Sequence, residues 1–574
     1  MKRDIRLDHS HSLWENFLDW NPQLFRELKG KLKTRNAIIA AAISFVIQFV
    51  CVISLLGKLP DPDPQGKLSV QSGRYGMGHV YDSSMYYRQH LPYSKDLLDN
   101  WVINWQLLWL DLFVILSIIS IFALLVAGTY MLVADLAKEE SQGTLNFIRL
   151  TPQSAGSILL GKILGVPILL YTAICLFIPL HTVAGINARI PLSLILSFDA
   201  VIVASCAFFY SLALLCSLLN FGLSGFKPWL ITGIIAGVLF TSTENLFNEY
   251  LNLNNPLGWL YLFNPSLVLS YLIDATHLPA HKVDFLPVEN LQQLLFYGQA
   301  FWKSATIGIG FIIFNLSLWT YWSWSLLKRR FDNRDSTFLS KVQSYWLTGW
   351  FVAIALGFTL RNSPYVNSEN FIFLQICLVA WGLVLTAGLS PHRQKLHDWA
   401  RYRHQTVNNG IWQELVFGEN SPSTVAVAIN LAIAIAYIIP SIFIHLNGDR
   451  HYIWGLIISA GNIILCAIAA QIILMLRTRK RAALSAITIA SMLIITPVCL
   501  NLAGIYLHNT PVAWMFSFVP TGAVEYVTMP TIAFTILGQW LAISAIGFGM
   551  SRKLKQAGAS ETKMLMIRTN VLNS

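Results

Sequence analysis

The chain has 574 residues, 55% of them hydrophobic and 12% charged, with a formal net charge of +11. A soluble domain carries roughly 25% charged residues, so the composition excludes an ordinary soluble enzyme and fits an all-α polytopic membrane protein. The basic residues sit beside apolar runs rather than in one patch with interleaved aromatics, which argues against a nucleic-acid partner.

The first apolar run opens at Ala37 after a mixed-charge stretch and reads as a retained span rather than a cleavable leader. Residues 1–36 therefore form a predicted cytoplasmic segment. Within it, Asn21 can N-cap a helix that Pro22 opens. Leu24, Phe25, Leu28 and Leu32 share one face of this helix, and Arg26, Lys29, Lys31 and Lys33 occupy the rest. That pattern predicts an amphipathic connecting helix on an anionic membrane surface.

About twelve stretches are apolar enough to span: Ala37–Leu56, Leu107–Leu132, Ser157–Leu180, Leu192–Leu219, Pro228–Thr241 with its flanks, Phe301–Leu327, Val342–Leu360, Phe371–Leu389, Val425–Leu446, Tyr452–Leu476, Ala482–Ile505 and Thr531–Met550. With both termini in the cytoplasm, 30 of the 40 basic residues fall on the inner side, as the positive-inside rule requires. Pro256–Ile273 is nearly long enough to span. Counting it would turn the clusters Lys328-Arg329-Arg330, Arg477–Arg481 and Arg552–Lys555 outward, so it reads as re-entrant or interfacial helices on the outer face. The count gives two six-span domains, 37–335 and a diverged 336–574. The outer segments 57–104 and 242–300 are long, and the first carries Tyr75, Tyr81, Tyr86, Tyr87 and Tyr93, which could meet substrate or partner but read first as interface anchors or ordinary packing. The cysteines Cys51, Cys175, Cys206, Cys216, Cys377, Cys466 and Cys499 lie in apolar runs without CxxC or Cys/His spacing, which predicts neither a disulfide framework nor a metal site.

Each predicted half places its main inner segment after its second span, at 133–156 and 390–424. In the first, Lys138, Glu139, Glu140 and Ser141 are too polar for lipid, Gly143 would allow close approach of another backbone, and Pro152 would end the helix. Leu145, Phe147, Ile148 and Leu150 offer an apolar face. A short amphipathic rod at about 135–153, tied at both ends to spans, is a handle by which a motor protein could tilt them.

Other charged residues have milder readings. Gly156–Ile163 approaches a phosphate-binding loop, but Ile163 stands where a magnesium-binding hydroxyl is needed, and no strand precedes it. Lys162 then reads as a snorkelling residue at the inner end of the third span. Asp199, about eight residues into the fourth span, reads either as lining a translocation path or as a structural hydrogen-bonding group. Asp111 reads as interfacial. The stretch from His392 to His404 satisfies the positive-inside rule and also suits a docking or lipid-headgroup surface.

Residues 138–164, KEESQGTLNFIRLTPQSAGSILLGKIL, resemble the coupling region of ABC transporter permeases of the type-2 exporter class. The matching positions are Glu139, Glu140, Gly143, Thr144, Leu145, Thr151, Pro152, Leu159, Leu160, Gly161 and Lys162. The helix NPQLFRELKGKLKTRN is similar to that family's connecting helix. The resemblance covers about residues 20–335. The second half fits in layout only, and its 390–424 segment lacks the acidic run into Gly-Thr-Leu. The resemblance implies a permease of the plasma membrane that exports cargo, binds no cofactor itself, and couples to separate ATPase subunits that bind ATP. Lys138, Glu139, Glu140, Gly143, Thr144, Leu145 and Pro152 would do the coupling, and the arrangement is compatible with a homodimer in membrane lipid. Two alternatives stand beside it: a gradient-driven secondary transporter, for which Asp199 is essentially the lone mid-span charge, and an integral membrane enzyme using His397, Asp398 and His404.

Overall fold

In a computed structural model the described residues are 20–60, 73–77, 93–218, 225–248, 253, 256–278, 283, 285–333, 336–361, 364–405, 410–446, 448–478 and 480–572. They build an all-α membrane-spanning protein. Among them ten helices are long and apolar enough to cross a bilayer. The chain divides into two units, one of residues 1–253, 258–294 and 300–332, the other of 254–257, 295–299 and 333–574.

The first unit opens with α1 (Pro22–Lys31) and α2 (Thr34–Leu56). The side chain of Asn21 accepts from the Leu24 amide at 3.0 Å, so the N-cap forms as its position before Pro22 predicts. A two-stranded antiparallel ladder, β1 (Ser94–Lys95) with β2 (Trp101–Val102), precedes α3 (Trp105–Phe122). This helix passes through a π-helical turn at Ala123–Ala127 into α4 (Gly128–Ser141). A π turn disturbs the backbone ladder. The Tyr210 hydroxyl donates to the Leu124 carbonyl there at 2.8 Å.

After α5 (Thr144–Arg149), the predicted third span is broken into α6 (Ala155–Gly165), α7 (Ile168–Cys175) and α8 (Ile178–Asn187). Pro167 has no N–H for the Ile163 carbonyl, and the Tyr171 hydroxyl supplies the donor instead at 2.9 Å. At the second break, Ser44 and Gln48 of α2 donate to the carbonyls of Ala173 and Leu176. Broken helices survive at membrane depth when neighbouring side chains satisfy the freed backbone in this way. The unit continues through α9 (Leu192–Ser217), α10 (Lys227–Asn245), α11 (Leu269–Asp274) and α12 (Ala305–Asp332), with α9 packed along α12. The predicted re-entrant stretch is a bent pair, Pro256–Phe263 and Pro265–Asp274, turned through 97°.

The second unit contains α13 (Lys341–Thr359), α14 (Pro364–Leu389), α15 (Arg393–Gln405), α16 (Ile411–Phe417), α17 (Thr424–His445), α18 (Arg450–Leu474), α19 (Arg481–Leu502) and α20 (Met529–Leu572). Buried amides and hydroxyls tie it together. Asn430 of α17 accepts from Thr348 at 2.7 Å and donates to Ser344 at 2.9 Å, both on α13. Asn462 of α18 accepts from Gln539 of α20 at 2.8 Å and donates to the Ser517 carbonyl at 2.8 Å. Ser459 donates to the carbonyl of Phe518. These bonds anchor the irregular stretch before α20, and at the bend before α12 the Asn264 side chain likewise donates to Ser242 and Thr243.

Ten of the twelve predicted stretches carry helices that qualify as spans. The other two, α10 and α13, are helices of 19 residues that include polar residues and fall short of the same apolar standard.

Candidate functional site

The segment singled out by sequence begins where α4 ends. Gly143 adopts φ +73°, a left-handed conformation that favours glycine, and starts α5. A Cβ there would meet open space, which corrects the expectation of close backbone approach: the turn, not a neighbour, calls for glycine. Thr144 donates to the Glu139 carbonyl at 3.2 Å across this turn. Helix α5 lasts only six residues and ends at Arg149, before the turn that holds the exposed Pro152. Ser154 then caps α6 by accepting from the Ser157 amide.

The predicted apolar face of the rod is split. Leu145 and Ile148 are buried, whereas Phe147 and Leu150 are 74% and 82% exposed. The Arg149 guanidinium lies over the Phe331 ring of α12, 5.2 Å from its centroid. The result is an apolar tip held above a packed base. Lys138 faces solvent.

The base is an ionic clamp. Lys162, in α6, is only 1% exposed, and its ammonium lies 2.7 Å from both Asp135 Oδ2 and Glu139 Oε2. The two carboxylates are four residues apart on α4 and so share a face. This corrects the reading of Lys162 as a snorkelling residue. From α1, Lys31 reaches Glu27 at 3.0 Å and Asp135 at 3.7 Å, and Arg26 reaches Glu139 at 2.8 Å and Glu27 at 3.4 Å. Three carboxylates thus meet three cations. Oxygens of Glu27, Asp135 and Glu139 converge within 4.8 Å of one another, a spacing that could suit a metal, but the Lys162 ammonium is ion-paired with two of these carboxylates and hydrogen-bonded to Asp135. Glu140 pairs separately with Lys227 of α10 at 3.3 Å.

Small residues let α1 approach. A Cβ on Gly161 would fall 2.7 Å from Asn21 Oδ1 and 2.8 Å from the Leu24 nitrogen, and one on Gly165 would fall 2.5 Å from Glu27 Cβ. These glycines are spaced GxxxG, the pattern that permits close helix packing. Asn21 also donates to the Ser157 carbonyl at 2.8 Å. The packed edge of α1 is therefore Asn21, Gln23, Leu24 and Glu27, and it shares only Leu24 with the predicted apolar stripe: Phe25 and Leu28 are half-buried and Leu32 is exposed.

The chain matches no family model, no curated protein and no solved structure. The functional reading therefore rests on this geometry and on the sequence.

The stretch Gly156–Ile163 is helical within α6, with Lys162 engaged in the clamp, so it forms no phosphate-cradling loop. Asp199 lies apart from the clamp, half-buried on α9, on the same face as the exposed Leu196 and Val203. Among the described residues no hydrogen bond or ion pair reaches its carboxylate. Asp111 is more than interfacial: Arg74 grips it with two hydrogen bonds of 2.6 and 2.8 Å, and the buried Tyr75 donates to it at 2.8 Å. Tyr93 donates to the Lys58 carbonyl, while Tyr81, Tyr86 and Tyr87 lie outside the described residues.

In the second unit, a different lysine anchors the corresponding segment. Lys341 donates to the carbonyls of Leu415 and Pro422 and to the Ser421 hydroxyl, at 2.6, 3.1 and 2.6 Å. Glu414 accepts from Trp399 and Arg403. His397 and Asp398 lie on α15, and the side chain of His404 lies outside the described residues. Sequence reading missed Glu27, Asp135 and the pairing role of Lys162. The available signals were the four-residue spacing of Asp135 and Glu139 and the GxxxG spacing beside Lys162.

Proposed function

We propose that this chain is the membrane-spanning permease of an ATP-driven exporter, driven by separate ATPase subunits that press on the segment between α4 and α6. The observation that carries the reading is the pairing of an exposed Phe147–Leu150 tip with the ion-clamped base beneath it. The two exposed apolar side chains offer a partner a surface to grip, and the clamp at their base would pass a push to α4, α6 and α1. Glu139 belongs to the clamp, Glu140 ties the segment to α10, and Gly143 sets the angle of the tip. Lys138, Thr144, Leu145 and Pro152 complete the coupling segment in this reading.

Asp199 belongs to the translocation path in this proposal. A carboxylate in lipid at a span centre costs about 2.5–3.5 kcal/mol on insertion scales. Its half-exposed face therefore meets protein or water in the assembled transporter, which two copies of the chain could provide. ATP is bound by the partner and not by this chain, and both termini lie on the partner's side of the plasma membrane.

The test is reconstitution with the ATPase that copurifies with the chain. Phe147→Asp with Leu150→Asp should abolish nucleotide-dependent transport and lower ATPase stimulation while the chain elutes and melts as before. Full coupling in this folded variant would end the proposal, as would transport by the chain with no nucleotide-hydrolysing companion. Tags at residue 335 and after residue 555 should lie on the ATPase side, and one near residue 285 on the other.

A further inference from the structure

The second unit carries a charged assembly that the transport reading leaves unused. Helix α15 is amphipathic. Leu396 and Ala400 are buried against Ile468 of α18 and against Met550 and Leu554 of α20, with Trp399 and Met475 packed alongside. This contact lays α15 beside the ends of two spans. A neighbouring edge of the helix repeats every four residues as Arg393, His397 and Arg401.

That edge faces more positive charge. Arg393 Nε donates to the Met475 carbonyl at 3.0 Å, which fixes the edge against the chain leaving α18. Arg477, two residues further on, is exposed and lies close enough to act electrostatically on His397. Arg481, at the start of α19, lies 3.0 Å from His392. Against these cations stand Asp398, 3.3 Å from Arg401, and Glu414, which already accepts from Arg403 and Trp399.

Cations gathered around one half-buried imidazole repel one another, and the repulsion grows where the spans displace water. An anion seated among them reverses the sign of the interaction. Guanidinium groups bind phosphate oxygens with two parallel hydrogen bonds, which makes arginine well suited to such a ligand. Position selects its source: with its apolar side fixed to the ends of α18 and α20, the basic edge of α15 sits at headgroup level, where anionic lipids attract basic side chains.

We propose that Arg393, His397 and Arg401, with Arg477 and Arg481, form a binding site for the phosphate headgroup of an anionic lipid. The proposal does not depend on the transport reading, since every residue in it lies outside the coupling segment.

The full chain, purified and placed in phosphatidylcholine nanodiscs, is titrated with phosphatidylglycerol. Retained lipid is counted by native mass spectrometry and stability is followed by melting. Phosphatidylglycerol should be retained and should raise the melting temperature of the wild type. Arg393→Gln with Arg477→Gln should weaken retention about tenfold or more. Removing two exposed charges that lie outside the site, as Lys95→Gln with Lys303→Gln, should leave it within a factor of about two. Equal retention by the two double variants would overturn the site. Stabilisation by inorganic phosphate that matches the lipid, and displacement of the lipid by it, would overturn the lipid as the source. If the Arg393 variant fails to fold, Arg477→Gln alone, at an exposed position, makes the same comparison.

Discussion

The ammonium of Lys162 and the carboxylate of Asp135, 27 residues apart in sequence, meet at 2.7 Å and close the chain into a loop whose far point is the apolar tip. With Glu139 on the same ammonium, this contact makes the tip and the two helices that flank it one mechanical body.

Lys162→Met should therefore cost more than a surface charge would. The substitution removes the cation shared by Asp135 and Glu139, which keep Lys31 and Arg26, so the loss should stay below about 3–5 kcal/mol, the cost of a buried ion pair left with no counter-charge. Melting of the purified chain in detergent should show the loss. Lys162→Met combined with Asp135→Asn and Glu139→Gln should recover much of it. A single variant that melts like the wild type would mean that the clamp is not holding the base.

Gly161→Val or Gly165→Val should undock α1. The added side chain would overlap the backbone at Leu24 or the stem of Glu27, neither of which can rotate away as a flexible tip could. A cysteine introduced as Leu24→Cys, buried in the parent, should then react with a water-soluble maleimide, scored above the background of the native cysteines. Unchanged protection would place the close approach elsewhere.

Gly143→Ala should strain the turn by about 1–2 kcal/mol, the usual penalty for an L-residue in the left-handed region, and Gly143→Asn should cost less. Hydrogen exchange across Thr144–Arg149 should quicken in the alanine variant. Because open space surrounds the position, a steric defect is not expected, and an alanine variant with native exchange would remove the conformational argument.

His397 should make the second unit sensitive to mild acid. Burial, followed by Arg393, Arg401 and Arg477, pushes its imidazole below the ordinary value of 6.5, with Asp398 opposing. The folded state then binds the proton less readily than the unfolded state, so stability should fall as pH drops through and below about 6.5. His397→Gln should flatten that dependence, and phosphatidylglycerol should reduce it in the parent. An identical pH profile in the variant would exclude His397 as its source.

The sequence by itself determined the membrane-spanning class, the helix capped by Asn21 and opened by Pro22, the bend at Pro256–Asp274, and the position of the charged segment between two apolar stretches. Each depends on neighbours within a few residues or on the length of an apolar run, and such signals survive in one dimension. Only the tertiary structure decided that Lys162 is buried in an ion pair rather than reaching toward water, that α1 docks by an edge of Asn21, Gln23, Leu24 and Glu27 that takes only Leu24 from the apolar stripe, and that Phe147 and Leu150 face outward while Leu145 and Ile148 face in. Whether a charge is a surface ornament or a buried fastener depends on which distant segment removes water from it, and a linear pattern carries no record of that desolvation.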